Sequence, residues 1–160
     1  MNKLTANRDP HEIQTLIKYF FANQEILEKA LTRRAYLSDL QVSLDENMDP
    51  LATLGDAVLD VIVIQQIYDH GENKKGEITK KKISQTRGER TRAFAKKHDL
   101  REYVQWGKGE DKIEVSTKGA KALDTVTEAL IGAVYLDAQK RGCNGMIVVK
   151  EILERLDFFD

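Results

Sequence analysis

Apolar side chains recur at helical spacing along almost all of this chain. In the stretch HEIQTLIKYFF, for example, Ile13, Leu16 and Ile17 fall on one helical face. No stretch alternates apolar and polar residues convincingly, as a half-buried strand does. The periodicity therefore predicts an all-α fold of roughly seven helices. The chain has 160 residues, which suits one domain (residues 1–160) with a sizeable core.

Composition and charge narrow the class of protein only modestly. The formal net charge is -1, so the overall balance does not reveal a partner. The single cysteine, Cys143, excludes an internal disulfide and a cysteine-based zinc site. The N-terminal residues lack the apolar run of a signal peptide, and we find no segment long and apolar enough to span a membrane. We therefore expect a cytoplasmic protein that has no membrane partner.

Two of the apolar helical stretches carry carboxylates. The first, LATLGDAVLDVIV, places Asp56 directly after Gly55. The second carries Asp124 and Glu128, which are four residues apart and so share one helical face. Acids on a helix are ordinarily interpreted as part of a solvated surface. Here, however, the acids of both stretches adjoin an apolar run that contains a glycine. If the two helices pack at their glycines, the three carboxylates gather in one pocket.

Clustered carboxylates repel one another and need a cation, and hard oxygen ligands suit magnesium or manganese. A divalent ion held in this way on an all-α scaffold indicates phosphodiester hydrolysis. Asp49 precedes Pro50, which is the signature of a helix N-cap. It lies two helical turns, roughly 10 Å, from Asp56. We therefore interpret Asp49 as a cap rather than as a ligand of the same ion.

The stretch from Lys74 to Lys97 is strongly basic within a nearly neutral protein. A lone basic helix is usually a solvated face. Beside a carboxylate cluster, however, it favours contact with the phosphates of a nucleic acid. The candidate contacts are Lys80, Lys81, Lys82 and Arg87.

These stretches resemble the endonuclease domain of the ribonuclease III family. DPLATLGDAVL is similar to the family signature ERLEFLGDAVL, and LDTVTEALIGAVYLD is similar to the second acidic motif. ALTRRAY, GEITKKK and YVQWGKGE follow the family order. The resemblance runs from about Ile13 to Leu156. It implies the all-α nuclease-domain fold, a homodimer, and magnesium-dependent cleavage of double-stranded RNA, here without the double-stranded RNA-binding domain of longer members.

The resemblance also assigns roles to the acidic residues. Asp56 and Glu128 occupy metal-ligand positions of the family. Asp49 replaces the first glutamate of the signature. The aspartate of the second motif falls on Thr125, and Asp124, one place earlier, is a candidate substitute for it.

Two further positions depart from the family pattern. Ala52 stands where the signature has a second ligand glutamate, and Lys75 stands where the family has another acid. The Mini-III branch is similar, because it also has an alanine at the first position and no aspartate three residues before its glutamate. That branch is active, although it lacks helices like ALTRRAY.

Three functions therefore stay open. The first is an endoribonuclease that uses magnesium or manganese at Asp56 and Glu128. The second is a catalytically degenerate domain that binds RNA or a ribosomal particle as a scaffold, as Ala52, Lys75 and Thr125 would suggest. The third interprets His98 and Asp99 as the dipeptide of a metal phosphohydrolase, which would need further histidine ligands.

Overall fold

The computed structural model describes residues 5–86, 88–110 and 120–159. These residues form eight α-helices and three short 3-10 helices, and they contain no β-strand beyond an isolated bridge between Thr32 and Gln105. The predicted all-α fold is confirmed. In chain order the α-helices are α1 (Ile13–Ile17), α2 (Gln24–Ala30), α3 (Arg34–Asp39), α4 (Asp49–Asp69), α5 (Lys75–Thr86), α6 (Gly88–Lys97), α7 (Ala120–Lys140) and α8 (Gly145–Arg155).

The two longest helices, α4 and α7, pack directly against each other through their glycines. A Cβ on Gly55 of α4 would overlap the carbonyl oxygen of Glu128, and a Cβ on Gly132 of α7 would overlap the carbonyl oxygen of Leu51. Because glycine has no side chain, the two backbones can come into contact here. The predicted packing of the two acidic helices at their glycines is therefore confirmed.

The N-terminal helices are joined to α7 by one buried carboxylate. Asp137 is 2% exposed and accepts hydrogen bonds from the Tyr19 hydroxyl (2.6 Å) and from the backbone N–H groups of Ala22 (3.0 Å) and Asn23 (2.9 Å). Burial raises the pKa of Asp137, but these hydrogen bonds outweigh it and hold the pKa below its ordinary value. The carboxylate thus ties the connection between α1 and α2 to the second acidic helix.

A second tie joins two of the family-like motifs. The Arg33 guanidinium donates to Glu110 through Nε (3.0 Å) and through a terminal nitrogen (2.7 Å), and it also lies over the Trp106 ring. The side chains of Arg33 and Glu110 are only 20% and 15% exposed. This charge-assisted pair fixes the loop after α6 on the start of α3.

The basic stretch differs from its prediction in extent. The helical spacing predicts one basic helix from Ile78 to about His98, after a loop with the sequence DHGENKKGE. The structure instead has two helices, α5 and α6, and α5 begins at Lys75, inside that predicted loop. The composition of DKIEVSTKGA predicts a further loop, which lies almost wholly outside the described residues.

The start of α4 also corrects a prediction. The helix begins at Asp49 itself, and Asn47 Oδ1 accepts the Asp49 backbone N–H at 2.8 Å. Asp49 is therefore not the N-cap: that position is held by Met48, whose side chain makes no capping hydrogen bond. Asp49 is exposed in the first turn, where its negative charge interacts favourably with the helix dipole.

The stretch Leu44–Asp69, which contains α4, is long and apolar enough to cross a membrane by length and composition. The expectation that no segment passes this test is therefore wrong. Val58, Leu59 and Val63 of α4 are nevertheless buried in the hydrophobic core. A central core helix passes the same test, so the finding by itself does not indicate a membrane span.

Candidate functional site

Two carboxylates lie beside the contact between α4 and α7. Asp56 directly follows Gly55, whose backbone packs on the carbonyl group of Glu128. Asp56 is exposed, whereas Glu128 is partly buried. The two side chains are close enough for the charge of Asp56 to act on the Glu128 carboxyl. The packed glycines therefore bring the two predicted ligand residues to one place on the surface.

The negative charges of the carboxylates at this site are not fully neutralised by neighbouring cations. Burial is the main cause that raises the pKa of Glu128 to about 7, and the charges of Asp56, Asp124 and Asp60 add to it. The pKa of Asp56 is also raised, first by partial desolvation and then by Asp60, while Lys82 acts in the opposite direction. A bound cation would relieve this repulsion.

Asp60 is a member of this cluster that the sequence analysis missed. It lies on α4 four residues after Asp56, and therefore on the same helical face. Its Oδ2 pairs with Lys82 Nζ of α5 at 3.4 Å. The signal was present in GDAVLD, since the same four-residue spacing had singled out Asp124 and Glu128.

Asp124 is held by a neighbouring helix. Its Oδ2 pairs with the Arg92 guanidinium at 3.2 Å, and the same oxygen packs on Gly88 at the start of α6. Burial raises the pKa of Asp124, and Arg92 acts in the opposite direction. The other oxygen, Oδ1, is buried and accepts no hydrogen bond from the described residues. The charge of Asp124 nevertheless acts on the Glu128 carboxyl, one helical turn further along α7.

The predicted three-carboxylate pocket is only partly present. Within the described parts of the chain, no three histidine, cysteine, aspartate or glutamate side chains lie close enough to form a metal site. One physical reason is the engagement of Asp124 with Arg92. A second is Ala52, which is buried and supplies no ligand one turn before Asp56.

The remaining pair still suits a divalent ion. Magnesium keeps several water ligands and is commonly bound through only one or two carboxylates. Asp56 and Glu128 supply two such groups, and their mutual repulsion is what a bound cation would relieve. The donor set therefore fits hydrated magnesium or manganese.

The other two departures from the family pattern are Thr125 and Lys75. Thr125 donates its hydroxyl to the carbonyl oxygen of Lys121 (3.4 Å), as a helical threonine often does. Lys75 is exposed at the first residue of α5. Neither residue supplies a carboxylate to the cluster.

The predicted RNA-contact residues do not behave alike. The Lys80 and Lys81 side chains are 78% and 53% exposed, whereas that of Lys82 is 28% exposed. Lys80 lies 3.7 Å from Glu77, and Lys81 lies 3.3 Å from Glu72. Lys82 instead joins the acidic site through Asp60. Arg87 lies outside the described residues.

The phosphohydrolase hypothesis finds no support in the structure. The ring nitrogen Nε2 of His98 is hydrogen-bonded to the carbonyl oxygen of Leu156 (2.9 Å). His70 contacts the carbonyl oxygen of its own helix at Gln66 (2.6 Å). In the part of the chain that the structure describes, these histidines belong to no metal-binding group.

Comparison with known proteins gives a consistent result. A family model described as Ribonuclease-III-like matches residues 23–156. The chain is 32% identical over 149 residues to ribonuclease 3 of Buchnera aphidicola subsp. Schizaphis graminum, which covers 92% of this chain and 61% of that protein. It is 32% identical over 148 residues to ribonuclease 3 of Listeria innocua, with 92% and 62% covered.

The fold comparison agrees. The nuclease domain of ribonuclease III from Campylobacter jejuni matches with a TM-score of 0.77 at 23% identity, covering 92% of this chain and 95% of that one. The all-α fold is thus that of the ribonuclease III nuclease domain. The chain belongs to the ribonuclease III-like family. It spans about three fifths of the length of these two curated relatives (61% and 62%).

Proposed function

We propose that this chain is an endoribonuclease domain that cleaves double-stranded RNA by divalent-metal-dependent hydrolysis, acting in RNA processing in the cytoplasm. The single observation that carries the proposal is the juxtaposition of Asp56 and Glu128 at the glycine contact of α4 and α7. The curated relatives are named ribonuclease 3, which supports the same activity.

The carboxylates of Asp56 and Glu128 would hold the ion. A divalent ion, when bound, activates a coordinated water and offsets charge on a phosphodiester. The buried contact of Gly55 with the Glu128 backbone keeps the two side chains in register with each other. The protein part of catalysis is therefore preorganisation of two acids that would otherwise repel each other.

Exposed lysines would bind the RNA backbone. Lys80 and Lys81 lie on α5, the helix whose Lys82 side chain reaches the acidic site. Their exposed ammonium groups suit the neutralisation of phosphates, which is independent of base sequence. This arrangement supports a duplex that lies across α5 with a phosphate near Asp56 and Glu128.

A homodimer would place two such sites together. The outer face of α4 presents apolar residues at heptad spacing, several of them well exposed: Leu54, Ala57, Val61 (48%), Ile64 (37%) and Tyr68 (64%). Such a stripe favours a partner copy across a two-fold axis. The Campylobacter jejuni nuclease domain was described with a region involved in dimer formation, which supports the same assembly.

The scaffold function is the second candidate, and a specific observation favours it. Ala52 supplies no carboxylate, and Arg92 holds one oxygen of Asp124. A domain of this kind would bind duplex RNA without cutting it.

Incubation of the purified chain with a long RNA duplex separates the two functions. The endonuclease proposal predicts shorter duplex products with magnesium or manganese and none with EDTA. Asp124→Asn belongs in the same assay, because a large loss of cleavage would show that Asp124 replaces the acid missing at Thr125. An uncut duplex in both metals, with binding retained, supports the scaffold.

A further inference from the structure

Lys82 differs from the two lysines that precede it. Its side chain is 28% exposed, against 78% for Lys80 and 53% for Lys81. Its Nζ lies 3.4 Å from Asp60 Oδ2, across the packing of α5 on α4. It thus turns towards the acidic site instead of the solvent that an RNA backbone would occupy.

The charge of Lys82 reaches beyond its partner. Asp60 lies one turn after Asp56 on the same face of α4, and Asp60 adds to the negative charge that acts on Glu128. Lys82 also acts directly on the Asp56 carboxyl, in the sense opposite to Asp60. The ammonium group of Lys82 therefore offsets part of the negative charge of Asp56 and Asp60, the two carboxylates that α4 contributes.

We propose that Lys82 is a positioning residue of the carboxylate site, where its ammonium group, paired with Asp60, sets the affinity of the site for a divalent cation. This inference rests on the proposed function, because it takes Asp56 and Glu128 as the ion ligands. It removes Lys82 from the RNA-contact set and gives Asp60 a role as its anchor.

The sign of the effect distinguishes this role from a merely structural one. A fixed positive charge near the ligands repels a divalent ion, so its removal tightens ion binding. If Lys82 only held α5 on α4, its removal would loosen the site and weaken ion binding.

The experiment titrates Mn²⁺ into metal-free protein and follows free Mn²⁺ by electron paramagnetic resonance. Lys82→Met is compared with Lys81→Met, which removes the same charge from the adjacent residue, whose partner Glu72 precedes α5. We expect Lys82→Met to lower the Mn²⁺ Kd about three- to tenfold and Lys81→Met to change it less than about twofold. Lys82→Gln replaces Lys82→Met if the latter does not fold by circular dichroism.

The Asp60→Asn variant tests the same pair from the other side. It should raise the Mn²⁺ Kd, and Lys82→Met combined with Asp60→Asn should bring the Kd back towards that of the wild type. A Kd for Lys82→Met that equals that of Lys81→Met, or exceeds that of the wild type, overturns the inference alone. The proposed function requires that the wild type binds Mn²⁺ and that Glu128→Gln abolishes this binding. If the wild type shows no such binding, the proposed function is overturned, and the inference with it.

Discussion

The backbone of Gly55 lies against the carbonyl group of Glu128 so closely that the place of a Cβ on Gly55 is already occupied. Gly132 of α7 has the same relation to Leu51 of α4. Because Asp56 is the next residue after Gly55, this contact determines where its carboxylate stands relative to Glu128. Fold stability and site geometry therefore depend on the same few atoms.

Gly55→Ala should destabilise the domain strongly. The added methyl group meets backbone, which cannot move aside as a flexible side chain can, so we expect a loss of about 3 kcal/mol in the free energy of unfolding. Gly76→Ala is the matched control, because that helical glycine of α5 has open space around its Cβ position. It should be neutral or stabilise by up to ~1 kcal/mol. Urea denaturation of both variants measures the difference, and equal midpoints would disprove the close contact.

Metal-free stability should fall as pH rises from about 4.5 to about 7. The pKa of Glu128 is raised from 4.5 to about 7 in the folded protein, so the folded state binds the proton more tightly than the unfolded chain does. Below this pH range Glu128 is protonated in both the folded and the unfolded state, so it does not lower the free energy of unfolding. Above the range Glu128 is charged in both states, and this charge is unfavourable in the folded protein. Melting temperatures in EDTA for the wild type and Glu128→Gln measure the effect. The wild type should lose stability relative to the variant across this range, and parallel curves would argue against it.

Duplex binding should depend on the exposed lysines of α5. Lys80→Gln combined with Lys81→Gln removes two exposed charges, and each phosphate contact contributes about 0.9 to the salt slope of log K. We therefore expect weaker binding and a salt slope smaller by up to about 2 in an uncleaving Asp56→Asn background. Lys140→Gln combined with Lys150→Gln, at the end of α7 and on α8, is the charge-matched control. An unchanged salt slope would show that Lys80 and Lys81 belong to a solvated helix face that does not contact RNA phosphates.

Assembly should depend on the apolar stripe of α4. Ile64→Lys places a charge on that stripe and should convert a dimer into a monomer of 18.2 kDa. Ile147→Lys, at a residue of α8 that is 52% exposed, should leave the dimer intact. Light scattering at micromolar concentration reads both outcomes. A wild-type monomer would count against the two-site mechanism.

The acidic helices were predictable because their signals are local. A run of apolar residues with Gly55 beside Asp56, and Asp124 four residues before Glu128, can be interpreted from periodicity alone. The packing of α4 on α7 followed from the two glycines. Asp60 could have been predicted in the same way, because it lies four residues after Asp56.

The partners of these acids were not predictable, since they come from other helices. That Arg92 of α6 would engage Asp124, and Lys82 of α5 would engage Asp60, depends on how distant segments pack. The prediction that Asp49 caps α4 was wrong for a smaller reason, because the helix begins at Asp49 instead of after it.

The central claim is that Asp56 and Glu128 act together on one ion, and single-turnover cleavage of duplex RNA tests it most directly. Asp56→Asn and Glu128→Gln should each lower the rate by a factor on the order of 1,000, because each removes one ligand from a site that works as a unit. The double variant should be little slower than either single variant. Its metal-free stability should match or exceed that of the wild type, since the repulsion is gone. Cleavage by either single variant at the wild-type rate, or no cleavage by the wild type in magnesium or manganese, would contradict the account.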